Sequence, residues 1–504
     1  MKVYNSKSIE LIEDLLNIGI ALSAEEDHNK LLELILTEAR KITNADAGTL
    51  YLYEDDKLSF KLMQNDTLEI NKGGRGEEID LPPVELNKEN VSAYVALTKE
   101  TVNIADVYDT DKFDFSGPKK YDQMTNYRTK SMLVLPLEDY EGNVIGVLQL
   151  INAQDDKKDK VIPFKSHLEK VVGSLASQAA VSLSNVQAKQ EIEELLNSFV
   201  EVMATAVDAR TPYNAAHTKR LAAMIKEFMD LINGYEEGKY ADEYFDDDRR
   251  QELIMTAWLH DIGKVAIPLE VMNKATRLED KLELVEQRFD YIAAVNKLSY
   301  YKKKEEGRLQ LKEELAQIEE ARELVNKANN PNTFVDEEMQ DELAQIAKLT
   351  YVDETGTEQP WLTDDELQAL SVAKGTLTSE EREEMEDHVQ VAVRILKAIP
   401  FPERLDNIPN LVSMHHEFLD GSGYPRGLEG DEIPLEIRIL TVVDIFDSLA
   451  AADRPYKDAK SVDEALGILD SMIEEGKLDE DVVRIFREEE LWQVEESDRD
   501  YQIW

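Results

Sequence analysis

The sequence of 504 residues contains 105 acidic and 57 basic residues, which give a formal net charge of −48, and it contains no cysteine. A surface this acidic repels polyanions, so we expect neither a nucleic acid polymer nor an anionic membrane as a partner. The lack of cysteine excludes disulfides, thiolate nucleophiles, cysteine-based metal sites and thiol-linked chromophores.

The N-terminal third has the pattern of an α+β domain. Its first residues, "MKVYNSKSIELIEDLL", lack the order of a signal peptide, and no apolar run approaches the roughly 20 residues that span a bilayer, so we expect a cytoplasmic protein. Helical periodicity over residues 8–42 precedes two strand pairs with acidic turns, Gly48–Met63 and Ser131–Asn152. Helices on one antiparallel sheet predict an α+β domain over residues 1–165.

A long helix is predicted for residues 166–206, where apolar residues recur every three or four positions up to Val186 and again from Ile192. These positions are Leu168, Val172, Leu175, Ala179, Leu183, Val186, Ile192, Leu195, Phe199, Val202 and Ala206. A narrow apolar seam on such a helix favours a coiled coil that joins two copies of the chain. The alternative is a helix that lies on its own domain.

The remainder, residues 207–504, is predicted to be an all-α domain with an insertion. The insertion covers about residues 277–353 and is dense in Glu, Lys, Gln and Leu. Two amphipathic helices separated by a break at "NNPN" (Asn329–Asn332) predict a helical hairpin. We expect this hairpin to act as a lid or as a surface for a partner.

Five of the seven histidines fall in this helical part of the chain. They are His217, His260, His388, His415 and His416, and Asp261 follows the second of them directly in "WLHDIGK". Neutral imidazoles with carboxylates suit borderline divalent metals, and this set is too large for one ion. Two ions that share a bridging carboxylate can activate water for attack at phosphorus, while a nearby lysine neutralises charge. The cluster therefore predicts phosphodiester hydrolysis.

Two motifs, "HDIGK" (His260–Lys264) and "HHEFLDGSGYP" (His415–Pro425), resemble those of the HD-GYP phosphodiesterases, a branch of the HD phosphohydrolase superfamily. Three further segments agree in order: "DARTPYNAAHTKRLA", "LTSEEREEMEDHVQVAVRIL" and "IPLEIRILTVVDIFDSLAAADRPYK". The resemblance covers about residues 200–272 and 374–466.

The resemblance implies a complete set of site residues. One metal ion would bind to His217, His260 and Asp444, a second ion to His388, His415 and His416, and Asp261 would bridge the two ions. Lys264 would contact the scissile phosphate, and Gly421, Gly423, Tyr424, Arg454 and Lys457 would bind the substrate. Asp261 and Lys264 are thus the predicted catalytic residues, although a tight turn is the alternative for residues 420–425.

The expected cofactors are two divalent transition-metal ions, with iron or manganese ahead of zinc or nickel. Some members of the family place a glutamate four residues before the first histidine ligand, where this sequence has Tyr213. We therefore expect two ions and not three.

The N-terminal part resembles a GAF domain, in particular those of the cyclic-nucleotide phosphodiesterases. The resemblance lies in "IADVYDTDKFDF" and "NYRTKSMLVLPLEDYEGNVIGVLQLINAQ" and covers roughly residues 10–185. Ala153 replaces a lysine typical of nucleotide-binding members, and only Glu169 of an expected acidic pair is present. The resemblance implies a cyclic nucleotide or another small ligand, with an unfilled dimerisation domain as the alternative.

Together these resemblances predict a GAF sensor, a signalling helix and an HD-GYP phosphodiesterase that hydrolyses cyclic di-GMP to pGpG, and onward to GMP. We expect a homodimer through the long helix. Two alternatives remain open, a cyclic GMP-AMP hydrolase and a catalytically silent receptor or scaffold for cyclic dinucleotides.

Overall fold

The computed structural model describes residues 6–155, 157, 160–210, 217–303, 308–450 and 460–493. The chain divides into two compact units, Met1–Leu196 and Asn197–Trp504. Within the described ranges, no helix combines the length and the apolar character needed to cross a membrane.

The first unit is an antiparallel sheet with helices on both faces. Its helices are α1 (Ser6–Ala24), α2 (His28–Thr43), α3 (Val91–Thr98), α4 (Ser116–Thr125) and the start of α5 (Ser166–Asp208). Its strands are β1 (Ala45–Glu54), β2 (Lys57–Asn65), β3 (Ile70–Gly73), β4 (Val84–Glu85), β5 (Val102–Ile104), β6 (Met132–Glu138) and β7 (Val144–Ala153). The sheet order is β3-β2-β1-β7-β6-β5, with β4 beside β2. The predicted α+β fold and its two strand pairs are confirmed.

The apolar seam of α5 lies in two different environments. Its first half packs into the core of the first unit, because Val172, Leu175, Ala179 and Leu183 are each 0% exposed there. The seam is solvent-exposed further on, over residues 192–202. The first half of α5 therefore lies on its own domain, and the coiled coil remains a prediction for the second half alone.

The second unit begins with helices that lead to the insertion. These are α6 (His217–Asn233), α7 (Asp247–Leu259) and α8 (Leu269–Met272), with a 3-10 turn at Ile262–Ala266. Asp246 caps α7 by accepting a hydrogen bond from the amide of Arg249, and two more acids in the first turn favour this helix end.

The insertion is larger than the predicted hairpin. It contains α9 (Lys281–Lys303), α10 (Arg308–Asn329), α11 (Glu337–Ala347), the strand pair β8 (Thr350–Val352) and β9 (Glu358–Pro360), and α12 (Asp364–Leu370). The two helices of the predicted hairpin cannot bury their apolar faces alone, and Trp361, Leu362 and Leu370 complete their core. The insertion is thus a small subdomain with its own core, and it extends past the predicted limit at residue 353.

After the insertion, the chain forms the six remaining helices of the helical body. These are α13 (Ser379–Glu386), α14 (His388–Leu396), α15 (Ile408–Val412), α16 (Leu435–Ala450), α17 (Val462–Glu474) and α18 (Glu480–Glu488). The two ends of the insertion lie side by side, since the hydroxyl of Thr376 donates to the main-chain oxygen of Lys274 at 3.0 Å. The insertion therefore leaves and rejoins the helical body at one place.

Candidate metal centre

Two groups of three ligands meet in the second unit. The carboxylate triad comprises His217, His260 and Asp444, and the histidine triad comprises His388, His415 and His416. In each triad, one ligand atom from every residue lies within 4.8 Å of the others. His260 and His415 join the two triads, with ring centroids 5.2 Å apart. These are the two groups that the sequence predicted as metal sites.

Asp261 lies between the two triads. Its Oδ2 atom is 3.3 Å from Nε2 of His260, and its Oδ1 atom is 3.6 Å from Nε2 of His388. Each oxygen thus faces one triad, which is the arrangement that a carboxylate needs to bridge two ions.

The local fold aims the histidine side chains. His260, His388 and His415 each direct Nδ1 to the main-chain oxygen three residues earlier, at 2.6–2.7 Å, which leaves Nε2 as the ligand atom of each ring. Gly263 lets the turn after His260 approach α14, because a β-carbon there would lie 1.8 Å from the oxygen of His388. The glycine of "HDIGK" thus brings the two triads together.

Charge distinguishes the carboxylate triad. Burial alone would lower the pKa of His217, but the hydrogen bonds that its ring donates to Asp444 and Asp447 outweigh burial and raise that pKa to about 10. The pKa of His260 is also raised despite burial, mainly by the charge of Asp261. Although burial acts in the opposite direction, the neighbouring histidines hold the pKa of Asp444 below its usual range.

The histidine triad has the opposite character. Burial lowers the pKa of all three imidazoles, to about 3 for His416 and well below the usual value for His415. Repulsion among the neighbouring rings adds to this effect. These side chains are therefore neutral and present their lone pairs, as metal ligands must.

The residues fit a pair of metal ions. Nε2 of His260 and Oδ1 of Asp261 are buried and make no hydrogen bond within the described parts of the chain. Buried polar atoms without a partner are costly in a folded protein, and here both point to where the triads meet. Five imidazoles with two carboxylates also match the preferences of borderline divalent metals.

The predicted substrate residues are only partly brought to the centre. The ammonium group of Lys264 lies 2.6 Å from Oδ2 of Asp261, so its contact with a phosphate stays a prediction. The ring of Tyr424 lies 4.8 Å from the ring of His416, which places the glycine loop beside the histidine triad. Tyr213, Arg454 and Lys457 lie outside the described residues.

A buried carboxylate that sequence reasoning missed holds the glycine loop in place. Glu417 is 2% exposed and accepts hydrogen bonds from the amides of Arg426 at 2.7 Å and Leu428 at 2.9 Å. Gly423 allows the loop to fold back, because a β-carbon there would lie 2.5 Å from Cα of Glu417. Gly421 has a φ of +75°, which a side chain would oppose.

Asp447 and Arg220 were also missed. Asp447 accepts from Nδ1 of His217 at 2.7 Å and pairs with both Nε and Nη2 of Arg220. Their spacing carried a signal, since each lies three residues after a predicted ligand in a helical segment and so falls on the same helix face.

Two family profiles match the chain. The profile described as "GAF domain" matches residues 27–183, and the profile described as "HD domain" matches residues 363–482. The second range includes the histidine triad and Asp444. His217, His260 and Asp261 precede this range and lie on the other side of the insertion in the sequence.

Curated relatives are similar over part of the chain. The 3′3′-cGAMP-specific phosphodiesterase 3 of Vibrio cholerae is 43% identical over 97 residues, covering 19% of this chain and 20% of the relative. The cyclic di-GMP phosphodiesterase response regulator RpfG of Xanthomonas campestris is 44% identical over 96 residues, covering 19% and 25%. The cyclic di-GMP phosphodiesterase of Thermotoga maritima is 40% identical over 129 residues, covering 25% and 34%. The chain thus spans at most about a third of the length of these relatives.

Solved structures are similar to the chain at low identity. The GAF domain of an Acinetobacter phosphoenolpyruvate-protein phosphotransferase is 16% identical and covers 38% of this chain and 99% of its own, with a TM-score of 0.28. A GAF domain/HD domain protein from Geobacter sulfurreducens is 16% identical and covers 33% and 98%, with a TM-score of 0.24. The chain thus carries a GAF domain, matched over residues 27–183, and an HD domain, matched over residues 363–482.

Proposed function

We propose that the protein is a metal-dependent phosphodiesterase that hydrolyses cyclic di-GMP to pGpG, and onward to GMP. The observation that carries this proposal is the pair of triads with Asp261 between them, each of its oxygens facing one triad. The relatives named as cyclic dinucleotide phosphodiesterases support the choice of substrate class.

The residues divide the work of hydrolysis. Two bound divalent ions would supply Lewis-acid charge and an activated water. The water oxygen joins phosphorus, the P–O3′ bond breaks, and the 3′ oxygen leaves as a hydroxyl that carries a proton. Asp261 holds the two halves of the centre in register. Lys264, already directed at Asp261, has the charge to stabilise the phosphate or the leaving oxygen.

The proposed ions are iron or manganese, with zinc or nickel as alternatives. Five imidazoles and two carboxylates suit all four metals. Elemental analysis of the purified protein should find two ions per chain, and three ions would contradict this reading of the ligand set.

A cyclic GMP-AMP hydrolase is the second candidate, because three of the similar relatives are named for that substrate. Hydrolysis of a panel of cyclic dinucleotides by metal-loaded protein, with products identified, tests both candidates. Faster turnover of cyclic di-GMP to pGpG supports the first, and preference for cyclic GMP-AMP supports the second. No turnover of any member would leave the silent receptor.

We further propose a sensor over residues 1–165, a signalling helix over 166–206 and a phosphodiesterase domain over 207–504. A cyclic nucleotide or another small ligand would bind to the GAF domain and change turnover. Addition of cyclic AMP or cyclic GMP to the hydrolysis assay tests this, and an unchanged rate with both would speak against cyclic nucleotides.

The proposed homodimer uses the second half of α5. Ile192, Leu195, Phe199 and Val202 are 50–71% exposed and follow the alternating three- and four-residue spacing of a coiled coil. Light scattering should report a dimer, and Leu195→Glu with Phe199→Glu should give a folded monomer. The substitution Leu183→Glu cannot test the dimer, because Leu183 lies in the core of the GAF domain. A monomeric wild-type protein at micromolar concentration would contradict the proposal.

A further inference from the structure

His217 is held differently from the other buried histidines of the centre. Its Nδ1 atom faces a carboxylate oxygen of Asp447 at 2.7 Å, whereas His260, His388 and His415 face main-chain carbonyls. A carboxylate carries a charge that a carbonyl lacks. The carboxylate therefore makes Nε2 of the imidazole a stronger electron-pair donor to a metal ion, and it fixes the ring more firmly.

Asp447 is itself fixed in place. It is 5% exposed, and Arg220 binds both of its oxygens, with Nε at 2.6 Å and Nη2 at 2.9 Å. This bidentate pairing is the most directional contact that arginine makes with a carboxylate. The buried charge of Asp447 is thereby compensated without loss of its hydrogen bond to His217.

Two helices form this frame from matching positions. His217 and Arg220 lie one turn apart on α6, and Asp444 and Asp447 lie one turn apart on α16. Nε2 of His217 is 3.3 Å from Oδ1 of Asp444. Helix α6 therefore contributes one metal ligand and the arginine that fixes Asp447, and α16 contributes one metal ligand and Asp447, which supports His217. The histidine triad has no such frame among the described residues.

We infer that Asp447 is a positioning residue that makes the carboxylate triad the tighter of the two metal sites. This inference rests on the metal centre of the proposed function. The carboxylate triad combines the charge of Asp444 with a carboxylate-held imidazole, whereas the histidine triad offers three neutral donors. When metal is scarce, the carboxylate triad fills first and the histidine triad stays empty.

Titration of metal-free, full-length protein with Co²⁺, followed by visible absorption, tests this in two backgrounds. His416→Ala leaves the carboxylate triad intact, and His217→Ala leaves the histidine triad intact. We expect Co²⁺ to bind at least tenfold more tightly in the first background. Adding Asp447→Asn should weaken binding about 10–100-fold in the first background and less than about twofold in the second.

A matched control separates positioning from general damage. Asp479 is also 5% exposed and pairs with Arg438 and Lys239, but it contacts no metal-binding histidine. Asp479→Asn should leave Co²⁺ binding unchanged in the His416→Ala background, and circular dichroism reports whether each variant is folded. Equal weakening by Asp447→Asn in both backgrounds, or by Asp479→Asn, would overturn the inference, as would no weakening at all. The measured quantity is Co²⁺ affinity and not turnover. The role of Asp447 can therefore be supported even if the protein does not hydrolyse cyclic dinucleotides.

Discussion

The metal centre and the insertion both bury charged side chains, but they satisfy them differently. In the insertion, Arg277 is 0% exposed, and its guanidinium donates to main-chain oxygens alone. These oxygens belong to Ala328, Asn330, Thr333 and Val372. In the metal centre, Nε2 of His260 and Oδ1 of Asp261 are buried and have no hydrogen bond to any described residue.

The difference separates a structural charge from a functional one. Arg277 joins the end of α10, the loop after it and the end of α12, so its contacts tie the subdomain together. A buried polar atom without a partner costs about 1–3 kcal/mol, and the two such atoms of the metal centre belong to candidate ligands, where a bound ion would satisfy them. Both ligand triads also lie in the helical body, so we assign the proposed chemistry to that body and not to the insertion.

The largest expected effect comes from removing the shared carboxylate. Asp261→Ala should lose both ions and lower turnover at least about 1,000-fold, because bound metal contributes several kcal/mol to such a reaction. Lys264→Ala should keep both ions and lose less activity, since it removes charge stabilisation alone. Elemental analysis and hydrolysis rates measure the two quantities separately.

The comparison breaks if the shared carboxylate proves dispensable. An Asp261→Ala protein with two ions and near-normal turnover would show that Asp261 does not bridge. An Lys264→Ala protein without metal would show that the lysine is part of the frame that holds the ligands.

A smaller effect, confined to the insertion, is expected from Arg277→Met. This change leaves four main-chain acceptors without their charged donor and should destabilise the subdomain by about 3 kcal/mol. Amide hydrogen exchange over α9–α11 should then accelerate about 100-fold, while both ions remain bound.

Arg322→Met is the matched control for Arg277→Met within the same subdomain. Arg322 pairs with Glu286, with Asp290 at 2.8 Å and with Glu319, and since water reaches all four side chains we expect its loss to cost only about 1 kcal/mol. Exchange should therefore change little in this variant. Loss of metal on Arg277→Met would link the insertion to the centre and contradict the division between them.

Much of the metal centre could be predicted because its ligands occur in short, ordered motifs. "HDIGK" fixes His260, Asp261 and the glycine of the close approach within five residues, and adjacent histidines mark the other triad. Asp447 and Arg220 could not be assigned in the same way. A carboxylate beside an arginine across two helices looks like any surface ion pair until the packing of α6 on α16 is known.

The fold could be predicted where a single hydrophobic period dominates the sequence. The prediction was incomplete where one face of a helix lies in two different environments. Leu183 and Leu195 both belong to the predicted seam of α5, but the first is 0% and the second 71% exposed. Periodicity identifies the apolar face of a helix and does not say which partner covers it. The insertion was underestimated for a related reason, because β8, β9 and α12 are short and join its core through single residues such as Trp361.

The smallest effect on the metal centre is expected from removing the whole insertion. The residues that form its core all lie between Leu278 and Leu370, so its removal uncovers no apolar partner from that core elsewhere. Lys274 and Thr376 are already in contact, so a short Gly/Ser linker can replace residues 275–375. The shortened protein should bind both ions and change substrate affinity or product release, as expected for a lid or a partner surface.

A shorter deletion provides the control for this prediction. Replacing residues 280–352 would leave Trp361, Leu362 and Leu370 without the helices that cover them, and such an apolar surface favours aggregation. The 275–375 replacement should therefore be the better-behaved protein although it removes more of the chain. The metal content, KM and kcat of the 275–375 replacement test whether the insertion changes substrate affinity or product release without holding the ions. A folded product that has lost its ions would place the insertion inside the site, because nothing else near the triads would have been removed.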